Sequence, residues 1–78
     1  SVNYSLYPNP AANVLYLTSD GRTIHGTIKL IDNQGRIVLE KNLKSSSIIN
    51  VGSIATGRYT LLLTTKHNSA YFNVIIQR

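Results

Sequence analysis

Cysteine, methionine and tryptophan are all absent from this chain of 78 residues. Without cysteine no disulfide can staple the fold and no thiolate can hold a zinc ion. One small apolar core must therefore do the work, near the lower size at which an unstapled domain holds together. Acidic residues number three, Asp20, Asp32 and Glu40, which leaves little from which to build a carboxylate pair for acid–base chemistry. No apolar run is long enough to cross a bilayer, and neither a signal peptide nor an initiator methionine is present. The chain reads as a module excised from a longer protein, with any targeting signal upstream. Helical periodicity, low-complexity tracts and internal repeats are also missing.

What is present is basic and β-forming. Eight Lys and Arg residues against three acids give a formal charge of +5. Arg22, Lys29, Arg36, Lys41, Lys44, Arg58, Lys66 and Arg78 are spread along the chain and form no block. That distribution reads as a solvated surface. A nucleic-acid binder would interleave cations with aromatics on one face, so no nucleic-acid partner is expected. Val, Ile and Thr supply 21 of the 78 residues, which favours strands. Turn signals recur at Pro8–Pro10, Ser19–Gly21, Asp32–Gly35, Lys44–Ser47, Gly52–Gly57 and Lys66–Ser69. Between them the pattern predicts strands at Tyr4–Tyr7, Val14–Thr18, Gly26–Ile31, Arg36–Asn42, Ile48–Val51, Arg58–Thr65 and Tyr71–Gln77.

Alternation along those strands predicts the core. Leu15 with Leu17, Ile28 with Leu30, Ile49 with Val51, and Tyr59 with Leu61 and Leu63 each share a face, and Val38 joins them. Val74-Ile75-Ile76 is apolar on both faces, so its outer face calls for a covering loop or an external partner. About seven short strands with frequent turns indicate an all-β, Ig-like Greek-key sandwich.

Three motifs sharpen this picture. In Tyr7-Pro8-Asn9-Pro10 each proline fixes its own φ and holds the residue before it extended. The motif is thus a stiff, kinked entry to the fold, with Tyr7 as a large anchor and an Asn9 amide able to bond nearby backbone. Asp32-Asn33-Gln34-Gly35 reads as a hairpin in which Gly35 takes a left-handed conformation. Ile54-Ala55-Thr56-Gly57-Arg58-Tyr59 sets a tyrosine just inside a strand, the pattern of a tyrosine corner whose hydroxyl bonds upstream backbone. Leu61 stands where an antibody domain has a cysteine.

The residues offer little for catalysis. Asp20 and Asp32 sit in turn signals, and Glu40 reads as an outward charge on a strand. His25 and His67 lie at strand ends or turns, with no spacing that would assemble a metal site. Ser45-Ser46-Ser47 has no glycine-framed elbow and no paired base, and reads as a flexible loop. Phosphate-cradling glycine patterns are missing. No cofactor, no metal and no enzymatic activity are expected.

Taken in order, Tyr7–Ala11, the strand with Leu15 and Leu17, Ile28–Val38, Ile49–Val51, Ile54–Leu61 and the final apolar strand resemble the type A C-terminal sorting domain of the type IX secretion system. The resemblance spans nearly the whole chain. Ile54 stands where the family usually has leucine, which preserves an apolar contact. The resemblance implies a small Ig-like sandwich at the end of an exported protein, covalently preceded by a larger cargo domain. It implies recognition in the periplasm and by the outer-membrane translocon, with shuttle and sortase components as further partners. The cargo would then reach the cell surface or the medium, with or without attachment to anionic lipopolysaccharide. No direct membrane insertion is implied.

On that reading residues 1–3 end a linker and residues 4–78 form the domain. Tyr7, Pro8, Asn9, Pro10, Asp32, Gly35, Ile54, Gly57 and Tyr59 are the family-motif residues that secure the fold. Phe72, Val74, Ile75, Ile76 and Arg78, on a terminal strand with an open edge, are the candidates for partner recognition. The alternative is an accessory sandwich that binds carbohydrate or mediates adhesion through Tyr4, Tyr7, Tyr16 and Tyr71.

Overall fold

The computed structural model describes residues 3–44 and 47–78. Ser1 and Val2, from the expected linker end, and Ser45 and Ser46, from the expected serine loop, lie outside the described residues. Seven strands run through the rest: β1 (Tyr4–Tyr7), β2 (Val14–Ser19), β3 (Thr27–Asp32), β4 (Ile37–Asn42), β5 (Ile48–Asn50), β6 (Gly57–Thr64) and β7 (Ser69–Ile76). Each strand boundary falls within two residues of its expected place. The strands form two antiparallel sheets, β1-β2-β5 and β4-β3-β6-β7. The chain changes sheet after β2, after β4 and after β5, so that β6 returns beside β3. This is a sandwich closed by Greek-key crossovers.

The core forms where the two sheets face each other. Leu15, Leu17, Ile49 and Val51 come from the three-stranded side, and Ile28, Leu30, Leu61, Leu63, Val74 and Ile76 from the other. Apart from Val74 and Ile76, whose strand is apolar on both faces, these are residues that strand parity selects. Ile24 and Leu43 are buried as well, but they lie in the crossovers between sheets, where no alternation marks an inward side. Tyr59 is half-buried and packs against the core from its edge.

Val38 does not join the core; it is 38% exposed, and Leu39 packs inward instead. The cause is a register shift between β3 and β4. Leu30 pairs with Leu39 but Ile31 pairs with Ile37, so Val38 is the extra residue of a β-bulge. The bulge breaks the period of two and turns both Ile37 and Val38 to the outer face.

The hairpin turns take the conformations their residues demand. Asp20 and Gly21 both have positive φ, 52° and 78°, and Ser19 and Arg22 exchange backbone bonds of 2.9 Å. This matches a two-residue type I′ turn. At the β3–β4 turn Gly35 has φ 84°, as its sequence context requires.

Candidate functional site

The motif residues, distant in sequence, meet at one end of the sandwich. There β3 ends, β6 begins and β7 ends, so that Asp32, Tyr59 and Val74 lie in one cross-strand row. Gly57, Ile76 and Ala11 lie in a second, with Ala11 joining the edge of β7 in parallel.

Asn9 acts there as a surrogate strand. Its side-chain amide donates to the Asn73 carbonyl at 2.8 Å, and its Oδ1 accepts from the Ile75 N–H at 2.9 Å. Two residues on, the Ala11 N–H donates to the Ile75 carbonyl and the Ala11 carbonyl accepts from the Gln77 N–H, both at 2.8 Å. One asparagine side chain and one residue of backbone therefore occupy the edge of β7 from Asn73 to Gln77. The terminal strand does not end in an open edge, because its last half is already paired. Pro8 and Pro10, each preceded by a cis peptide bond, bracket Asn9. Tyr7 ends β1 on the outer face and stacks on Tyr16, ring centroids 5.5 Å apart.

Two further clamps hold the β5–β6 connection. Arg78 donates from Nη1 to the Ile54 carbonyl at 2.7 Å and from Nη2 to the Val51 carbonyl at 2.6 Å. A guanidinium thus satisfies loop carbonyls that no strand reaches. Ile54 packs its side chain against the core. The Tyr59 hydroxyl donates to the Ala55 carbonyl at 2.6 Å, completing the expected tyrosine corner. Gly57 enters β6 with φ 152°, a conformation that side chains rarely adopt, and Tyr59 lies against it.

Asp32 organises the third element of this end. Its Oδ1 accepts from the backbone N–H groups of Gln34 and Arg36, both at 2.9 Å, and its Oδ2 accepts from Arg36 Nε at 2.9 Å. The Arg36 backbone bond holds the carboxyl below its ordinary 3.8; desolvation opposes it, and the Gln34 bond and the Arg36 guanidinium add to the lowering. A carboxylate whose folded pKa is depressed stabilises the fold above its unfolded value, and that contribution disappears as pH falls through the folded pKa. Asp32→Asn is therefore expected to lower the thermal midpoint at neutral pH. Below pH 3.8 the gap to the wild type should close progressively in parallel thermal melts.

Of the five recognition candidates, most prove to be engaged internally. Val74 and Ile76 point into the core, Phe72 packs edge-on against Tyr4, and Arg78 is spent on the loop carbonyls. Ile75 alone faces outward, 38% exposed. No described loop covers that face: Ile75 lines a groove of about 450 Å³ together with Arg58, Thr60, Asn73, Ile31 and Asp32. Arg58, which sequence reasoning placed only as a scattered cation, brings a positive charge to this groove beside Ile75, its cross-strand partner. Among the described residues no three His, Asp or Glu side chains gather as a metal would require. No helix of the described chain is long and apolar enough to cross a membrane.

The model of the secretion system C-terminal sorting domain matches residues 5–77. The chain belongs to that family. No curated protein matches it. The sorting domain is thus a signal for type IX secretion, which marks a secreted protein exported across the outer membrane. Its family is not an enzyme class.

Proposed function

We propose that the sorting domain directs a covalently attached upstream cargo through the periplasm and across the outer membrane by protein–protein recognition. The reader would be the type IX translocon, with shuttle and sortase components handling the cargo afterwards. One observation carries this reading: the family-motif residues converge on one end of the sandwich and are spent on holding its shape. Asn9, Asp32 and Tyr59 each bond backbone, and so does Arg78 just past the terminal strand. What they leave outward is a surface, the groove beside Ile75 and Arg58. A molecule whose polar groups are engaged in this way acts by shape and charge.

The test is sufficiency. Residues 1–78 are fused behind a reporter directed to the periplasm, in cells with and without a working type IX translocon. The reporter is expected outside the cell only where the translocon works. Retention in the periplasm of competent cells would refute the assignment.

A further inference from the structure

The outer edges of the two sheets belong to β1, β5, β4 and β7, and among the described residues only one stretch of them is left without protection. On β4 the bulge at Val38, the charge of Glu40 and the inward-pointing Lys41, whose Nζ donates to the Ile48 carbonyl at 2.8 Å, all discourage pairing. β5 has three residues, and β1 has four before Pro8; strands so short make poor templates. The last half of β7 is held by Asn9 and Ala11.

The first half of β7, Ser69–Asn73, has none of these devices. It carries no charge, proline, glycine or bulge, and its register with β6 is unbroken. Antiparallel ladders alternate, so with Ile75 turned away from β6, Asn73 and Tyr71 are turned away too. The Tyr71 N–H and carbonyl and the Asn73 N–H thus point outward, with no described strand against them. The Tyr71 side chain is 70% exposed, the most of any large apolar residue described.

Charge says what would pair there. All three acids lie at or before Glu40, where they balance Arg22, Lys29 and Arg36. Lys41, Lys44, Arg58, Lys66 and Arg78 have no acid in their half of the chain, which therefore holds the entire +5. Lys66 lies in the turn that leads into β7.

We propose that the Ser69–Asn73 edge pairs with an extended, acidic segment of a partner protein, which adds a fifth strand to the four-stranded sheet. This rests on the recognition reading above and names the chemistry of the partner. The segment exchanges backbone bonds with Tyr71 and Asn73, covers the Tyr71 ring, and sets carboxylates towards Lys66.

Tyr71→Pro deletes the outward N–H while sparing the ladder to β6, and Tyr71→Val keeps that N–H. In the reporter fusion, Tyr71→Pro is expected to cut export about tenfold at an unchanged circular-dichroism spectrum, and Tyr71→Val to leave it within about twofold. If proline unfolds the domain, Tyr71→Glu supplies the same block by like-charge repulsion of the acidic segment. A heptapeptide of alternating Glu and Val should shift the Tyr71 and Asn73 amide resonances of the 78-residue chain, less so as salt is raised. Its Lys–Val counterpart should not.

Wild-type export of folded Tyr71→Pro or Tyr71→Glu would overturn the proposal, as would equal shifts by the two peptides. A dimer in sedimentation that Tyr71→Pro abolishes would assign the edge to a second copy and overturn it too. All these outcomes leave the sorting reading standing, because the wild-type fusion still exports. A wild-type fusion held in the periplasm would end both.

Discussion

Deleting Phe72–Arg78 from the full parent protein is expected to abolish its export, and to do so by unfolding the sorting domain. The deletion removes two fully buried side chains, Val74 and Ile76, and the partly buried Phe72. Burial of side chains of this size contributes about 1.5–3 kcal/mol each. It also strips β6 of most of its partner strand, since Gly57–Leu61 pair with Phe72–Ile76, and uncovers the core beside Leu61. Arg78 leaves with the strand, so the Ile54 carbonyl loses its side-chain donor and the Val51 carbonyl keeps only the Ile54 N–H. A domain has about 5–15 kcal/mol of stability in total, and one this small sits low in that range. Circular dichroism of the truncated chain should show loss of the β signal, and secretion assays should find the cargo inside the cell. A truncated domain that stays folded and is still exported would remove the terminal strand from the account.

Asn9→Ala is expected to cost about 2 kcal/mol, roughly 1 for each of its two hydrogen bonds, which in a domain of this size lowers the midpoint by about 8–16 °C. The loss should be local before it is global. Without the amide, the Ile75 N–H and the Asn73 carbonyl turn to solvent, and Ala11 loses the neighbour that positions it on the strand. Hydrogen exchange should therefore accelerate first at Ile75 and Gln77, whose N–H groups bond to Asn9 and Ala11. The Leu61 and Leu63 amides, in the middle of the sheet, should hold. A mere change of surface polarity at Asn9 would move none of these amides, so equal protection throughout would count against the clamp.

Much of this was legible in the residues, for reasons that also explain what was not. Strand positions and the inward set Leu15, Leu17, Ile28, Leu30, Ile49, Val51, Leu61 and Leu63 follow from local period and turn chemistry. The tyrosine corner was readable because its donor and acceptor lie four residues apart. Val38 was misplaced because Ile37, Val38 and Leu39 are all apolar, so nothing in the run reveals where a bulge resets the phase. The role of Asn9 was only half visible. Two prolines show that the stretch cannot continue a strand, but its partners lie 64 and 66 residues away, a distance that only the strand order bridges. Arg78 reads as a partner contact for the same reason: a cation near an apolar strand looks exposed until the loop it clamps is known.

On the proposed reading, export machinery recognises the folded sandwich, and the motif residues act through stability. Gly57→Val tests it most directly, because the backbone there, at φ 152°, is one a β-branched residue does not tolerate. Export of a reporter carrying this variant should be measured against its folded fraction over a range of temperature. Export is predicted to fall in step with unfolding, and to match the wild type wherever the variant is fully folded. Blocked export of a fully folded variant, with its thermal midpoint untouched, would contradict the claim and make Gly57 part of the recognised surface itself.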